Sequence, residues 1–265
     1  MKKALVAVVM ILLLVSLCAC SVASNSFMSR AQVNSLTKRY PNPQAQLTLK
    51  YKLGGNDFEV TFTYNLLLDK APIAVTRFVQ LANEGAYNDT VVDKFDSTYL
   101  YAVMGRYGQN QDSRYYNLRY DDVTFAGEFK QNGYREPKGG YAQFQMYSLA
   151  MFHDNRSGEK FDSANGTLLL ALSADTLNSD NYAVFAEFAS MKVVTNGETV
   201  REYSTPNGLL FDHMKKFTTS STQIYDPTGT TSVSGSILKA ASNTDITITV
   251  AILGDYDWSK LPTIR

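Results

Sequence analysis

Alternation of apolar and polar residues between positions 47 and 64 constrains the fold of this chain more than any other feature. Apolar residues occupy every second position, first over 47–53 and again over 58–64. A period of two is that of a β-strand with one buried face. Gly54 and Gly55, followed by Asn56, separate the two runs and are typical of a tight turn. The segment therefore predicts a β-hairpin.

Two helices are predicted further along the chain. Over 70–85, Pro72 stands in a first helical turn, apolar residues recur at 75, 78, 79 and 82, and Gly85 is a typical stop. Over 207–217, an apolar stripe with helical spacing indicates a second helix with one buried face. A short segment at 28–38 is a further helix candidate.

Additional strand-like runs occupy 91–95, 98–104, 143–151, 166–172, 182–188 and 245–253. Asn196 and Gly197 predict the turn of another hairpin. We predict surface loops at about 106–122, which is rich in tyrosine, and at about 195–235, where serine, threonine and glycine fill 218–235. Many strands with two helices indicate a closed barrel or an α+β fold.

The N-terminus has the features of an exported lipoprotein. Lys2 and Lys3 precede an apolar run over 4–17, which is shorter than the roughly 20 residues of a membrane-spanning helix. The run ends in Leu17-Cys18-Ala19-Cys20, which resembles a bacterial lipobox. We predict a lipoprotein signal peptide at 1–19, a lipidated Cys20, a polar tether at 20–45 and an extracytoplasmic location at the cell membrane. The alternative is an ordinary secretory signal that is cleaved nearby.

Cysteine content and charge exclude several function classes. Both cysteines lie in the N-terminal segment, so the domain at 46–265 has no disulfide and no cysteine nucleophile. Without the first 19 residues the chain has 23 basic and 25 acidic residues, which gives no polyanion-binding surface, and we expect no nucleic-acid partner. No residues have metal-ligand spacing, so we expect no cofactor.

Four motifs occur in an order and at a spacing that resemble one family. They are Asp69-Lys70-Ala71-Pro72 with the helix after it, the stretch 125–134 with its Gly127-Glu128-Phe129, the strand 147–151 and the strand 182–186. Together they resemble the cyclophilins over about 46–194 and the last strand. The resemblance implies an eight-stranded antiparallel closed barrel with two capping helices. It also implies peptidyl-prolyl cis-trans isomerase activity on extended segments that contain proline.

The resemblance also implies site residues. In the family an arginine donates a hydrogen bond towards the prolyl nitrogen, and an ungapped alignment from Thr90 places Lys94 there. Lysine is flexible and strongly hydrated, so the exchange predicts reduced activity. An alignment shifted towards Gly105 would change the assignments between 99 and 106. The substrate-binding positions fall on Tyr99, Leu100, Ala102, Ala150, Leu169, Leu177 and Tyr182.

Two functions remain open at this point. The first is a weak cyclophilin-like prolyl isomerase or foldase, which binds proline-containing segments of exported proteins at the outer face of the cytoplasmic membrane. The second is a catalytically inactive, cyclophilin-like lipoprotein that binds peptides or proteins. For Lys94 the alternative is a solvated lysine at a strand end, and for the substrate-binding positions it is ordinary packing in the core or at its rim, which is the more frequent role of such residues.

Two other features carry weaker hypotheses. His153 and His213 are the only histidines, and no hydrolase or metal motif accompanies them, so we expect both at the surface. The tyrosine- and arginine-rich stretch 106–122 is either a recognition surface or a loop without function.

Overall fold

The computed structural model describes residues 26–109, 112, 114–118, 123–153, 164–174, 177–240 and 243–264. Its helices are α1 (Arg30–Arg39), α2 (Pro72–Asn83) and α3 (Leu209–Met214). Its strands are β1 (Gln44–Leu53), β2 (Asn56–Leu66), β3 (Thr90–Asp96), β4 (Tyr101–Gln109), β5 (Tyr115–Asn117), β6 (Leu149–Met151), β7 (Leu168–Ala171), β8 (Val184–Thr195), β9 (Glu198–Tyr203), β10 (Thr218–Tyr225), β11 (Ser232–Lys239) and β12 (Thr247–Leu253). The predicted signal peptide and Cys20 lie outside the described residues.

Eight of the strands form a closed ring. Their order is β4, β3, β12, β1, β2, β8, β6 and β7, and β7 pairs with β4 again. Every neighbouring pair in this ring is antiparallel. The predicted mainly-β fold, with eight antiparallel strands and capping helices, is confirmed.

The alternating side chains of the first hairpin fill the inside of the ring. Leu47, Leu49, Val60 and Phe62 are fully buried in the main core. The hairpin turns at Gly54 and Gly55, which both have a positive φ that glycine adopts without strain. Period-two burial therefore gives the ring one face that is wholly apolar.

Helix α2 packs against the ring, and its N-terminus is capped by a residue that is distant in sequence. Its N-cap residue, Ala71, makes no side-chain hydrogen bond. The carboxylate of Glu128 accepts from the backbone N–H groups of Ile73 and Ala74, each at 2.9 Å. Glu128 is buried, and this burial raises its pKa to about 8 although the two N–H donors lower it. The loop at 125–134 is thus fixed to the start of α2.

Helix α1 lies within the segment that the sequence indicates as a tether. Ser29 and Gln32 form a capping box at its start. Met28, Leu36 and Tyr40 are buried in the main core, and the Tyr40 ring stacks on Trp258 at 4.5 Å. Residues from 28 onwards therefore belong to the folded domain rather than to a free spacer.

The stretch 218–235, predicted as part of a loop, forms most of a hairpin instead. Strands β10 and β11 pair over eight residues, and β10 adds in parallel to β5, which extends the sheet from β4. Gly235 is required there, because a Cβ atom would lie 2.4 Å from Ile224 Cγ1. We name β10 and β11 the added hairpin. Sparse apolar residues in this stretch, chiefly Ile224 and Val233, explain why periodicity did not indicate strands.

Among the described residues, no helix is both long enough and apolar enough to cross a bilayer.

Candidate functional site

The candidate site lies where β3 and β4 pair and the ring closes on β7. Lys94 on β3 lies opposite Val103 on β4, and the register shifts between Val92 and Lys94. Side chains alternate along β4, so Ala102 and Met104 join the main core inside the ring. Tyr101 and Val103 lie on the opposite, outer face.

A second apolar cluster covers this outer face, and we call it the outer cluster. It is made by the ring strands β4, β6, β7 and β8 together with the segments before β6 and β8. Its buried members are Leu67, Tyr101, Val103, Ala142, Phe144, Ala150, Leu169, Ala171, Tyr182 and Val184. Phe152 and Leu177 pack against it. Leu169 and Ala150 are fully buried, so the cluster is closely packed.

Lys94 reaches over the edge of the outer cluster. Its Nζ lies 2.6 Å from Tyr101 Oη, 3.5 Å from Asp96 Oδ2 and 4.9 Å from the centroid of the Tyr101 ring. Burial lowers the pKa of Lys94, but the hydrogen bond to Tyr101 raises it, and the resulting pKa lies above the ordinary value. The ammonium group is therefore a charged donor held in one place, with half of the side chain exposed.

Asp96 fixes the turn that follows Lys94. Its Oδ1 accepts from the backbone N–H groups of Thr98 and Tyr99, each at 3.0 Å. Partial burial raises the pKa of Asp96, but the hydrogen bonds from Tyr99 and Thr98 and the charge of Lys94 lower it. The resulting pKa lies below the ordinary value. The ionised carboxylate therefore organises both the turn and the lysine.

Asp93, next to Lys94 in sequence, forms an ion pair in which its own side chain is buried and that of Arg106 is partly exposed. Its Oδ2 lies 2.5 Å from Arg106 Nη2. Burial raises the pKa of Asp93 to about 6, although the charge of Arg106 lowers it. The pair joins β3 to β4 directly behind the candidate site.

The structure brings some of the sequence-derived site residues together and separates others. Lys94, Ala150, Leu169, Leu177 and Tyr182 all belong to the outer cluster or its edge.

The remaining three site residues lie elsewhere. Tyr99 is 57% exposed in the β3–β4 turn. Leu100 has a φ of 53° and packs against the main core, and Ala102 is fully buried inside the ring. Tyr101 and Val103, rather than Leu100 and Ala102, face the outer cluster, so the outward positions of β4 lie one residue further along the chain than the ungapped alignment implies.

The two histidines do not both lie at the surface as expected. His153 is buried between the rings of Phe129 and Tyr182, and its Nε2 lies 2.6 Å from the carbonyl oxygen of Asn181. Half-buried His213 contacts Tyr51 Oη through Nδ1 at 2.7 Å, and burial lowers its pKa. Across the described ranges, no three His, Cys, Asp or Glu side chains group as metal ligands would.

Comparison with known proteins gives one match to a family. The family model described as cyclophilin type peptidyl-prolyl cis-trans isomerase/CLD matches residues 52–206, which is more than half of the chain. No curated protein sequence matches significantly.

Two solved structures are similar to this chain, and both are of a cyclophilin type peptidyl-prolyl cis-trans isomerase of Cryptosporidium parvum. The first is 12% identical, with a TM-score of 0.46, and the match covers 81% of this chain and 99% of that one. The second, in the presence of the dipeptide Ala-Pro, is 11% identical, with a TM-score of 0.42 and coverages of 78% and 99%.

Proposed function

Because the chain belongs to the cyclophilin-type peptidyl-prolyl cis-trans isomerase family, we propose that it is a weak prolyl isomerase that acts on exported polypeptides. The observation that carries this proposal is the fixed ammonium group of Lys94 beside the outer cluster. A positioned donor next to an apolar surface is the combination that this reaction requires. Proline-containing segments of exported proteins would be the substrates.

The chemistry is rotation about a peptide bond. Its partial double-bond character gives a barrier of about 18–20 kcal/mol. A donor aimed at the prolyl nitrogen takes up the lone pair that the resonance requires, and the barrier falls because that interaction strengthens as the amide twists. Lys94 would supply this hydrogen bond. Tyr101, Tyr182 and the partly buried residues at the edge of the outer cluster would contact the proline ring.

Two features support a low rate. A lysine presents a point charge on a flexible stem, whereas an arginine presents a planar set of donors. Tyr101 Oη and Asp96 restrict that flexibility, but they also use part of the donor capacity of Nζ. We therefore expect activity well below that of a family member with arginine at this position.

The proposed place of action is the outer face of the cytoplasmic membrane. The charged start, the apolar run over 4–17 and the Leu17-Cys18-Ala19-Cys20 pattern support export and lipidation at Cys20. An acyl anchor would hold the domain at the membrane surface, where newly exported chains emerge unfolded.

A second function is favoured by a specific observation. Leu169 and Ala150, which the resemblance implies as substrate-binding residues, are fully buried by their own neighbours. A site filled in this way suits a catalytically inactive domain that binds a peptide or protein across the surface of the outer cluster, since a fold does not fix its function.

Exchange NMR on a proline peptide distinguishes the two functions. Residues 21–265 are added to a peptide with one X-Pro bond, and the cis-trans exchange rate is compared with that for Lys94→Ala. Lys192→Ala is the matched control, because Lys192 is an exposed strand lysine on β8. We expect acceleration that falls at least tenfold in Lys94→Ala and is kept in Lys192→Ala. If the wild-type domain is folded but does not accelerate the exchange, the isomerase proposal is wrong and the binding function is favoured.

A further inference from the structure

A cavity of about 370 Å³ lies at the turn end of the added hairpin, away from Lys94. Tyr107, Leu118, Ile224 and Tyr225 give it apolar and aromatic walls. The first two residues of β11, Ser232 and Val233, also line it. Its volume is at the lower end of the range for ligand pockets and suits one side chain.

One polar atom in this cavity lacks a partner. Asn117 Oδ1 is buried and has no hydrogen bond within the described part of the chain. Asp226 also lines the cavity, and because Asn117 Oδ1 is almost inaccessible, the apolar and aromatic walls are the part that a bound side chain would contact.

The edge of β11 beside the cavity is open and uncharged. Among the described strands, Ser232–Leu238 pairs only with β10. No residue in this range is charged and none is proline, whereas edge strands are usually protected by such residues. Ser232, Ser234 and Ser236 are exposed, and Val233 is 68% exposed.

We propose that an extended, uncharged polypeptide segment adds to the edge of β11 and places an apolar or aromatic side chain in this cavity. In such binding the main-chain hydrogen bonds give affinity, and a pocket for alternate side chains gives specificity. The neutral edge favours an uncharged partner. This site does not depend on the isomerase proposal, because the added hairpin lies outside the residues that match the family.

The test is hydrogen exchange on the full chain in detergent micelles. The probe is a short proline-free peptide of alternating threonine and valine with one central phenylalanine. The control peptide has the same side chains but an N-methyl group on every amide, which removes all of its backbone donors. We expect the first peptide to slow amide exchange in Ser232–Ser236 and the second to have no effect.

Protein variants complete the test. Val233→Lys places a charge on the edge and should weaken binding at least tenfold. Thr219→Lys is the matched control, since it puts the same charge on an exposed position of β10 at the other end of the hairpin. The proposal is overturned if both peptides bind equally or if Val233→Lys binds normally. Protection of β11 that depends on protein concentration alone would also overturn it, because a second copy would then occupy the edge.

Discussion

The two ends of β4 are held in different ways. Residues 101–104 pair with β3 on one side and with β7 on the other, and apolar clusters cover both faces. Residues 107–109 lead through β5 to the added hairpin, whose small core consists of Val91, Tyr115, Ile224 and Ile237. The ring end of β4 is therefore covered on both faces, whereas the hairpin is held by its own small core and by Leu238, which joins the main core.

The largest expected effect concerns the two cores. Leu169→Ala should lower the free energy of unfolding by about 2–5 kcal/mol, because Leu169 is fully buried in the closed side. Ile237→Ala, equally buried in the hairpin core, should mainly speed amide exchange in 218–239 through local opening. Urea unfolding and hydrogen exchange measure both. Equal losses of global stability would contradict the comparison.

An intermediate effect concerns Glu128, whose loop supports the closed side through Phe129, His153 and Tyr182. Its pKa is raised to about 8 by burial, so between the ordinary carboxyl pKa and about 8 the folded protein binds a proton that the unfolded chain has lost. The free energy of unfolding should therefore fall as pH rises through that window, by about 1.4 kcal/mol for each pH unit. Glu128→Gln should flatten this dependence, and exposed Glu84→Gln should keep it. Parallel curves for both variants would refute the assignment.

The smallest expected effect is at the site. Tyr101→Phe removes the hydroxyl that holds Lys94 Nζ but keeps the ring in the outer cluster. In an active protein kcat should fall about three- to tenfold with KM nearly unchanged, which is the size of one hydrogen bond worth about 0.5–1.5 kcal/mol. The thermal midpoint should hardly move. An unchanged kcat would mean that Tyr101 does not position Lys94.

Much of the ring was predictable from local patterns. The alternation over 47–64 gave β1 and β2, Pro72 and Gly85 bracketed α2, and Asn196-Gly197 is the turn between β8 and β9. Each of these signals depends on a few neighbouring residues, so it can be recognised from the sequence alone. The added hairpin was missed because its residues are mostly serine and threonine, and its few apolar side chains do not alternate clearly.

The site was only partly predictable. Lys94 and Leu169 were placed from the resemblance, and both lie at the outer cluster. Tyr101 and Val103 were missed, because the sequence does not show at which residue after the turn β4 begins, and an offset of one residue reverses which side chains face outwards. Glu128 stood in a quoted motif, but its hydrogen bonds to α2 depend on a contact between distant segments that no local pattern shows.

The position of β12 in the ring has a consequence for how the chain folds. This strand, near the C-terminus, lies between β1 and β3, which come from the first part of the domain. The ring therefore lacks one of its strands until residue 253 is available, and the earlier strands expose their edges until then. A chain that emerges N-terminus first cannot close the ring before β12 has emerged, so folding should follow the appearance of residue 253 rather than accompany that of the earlier strands.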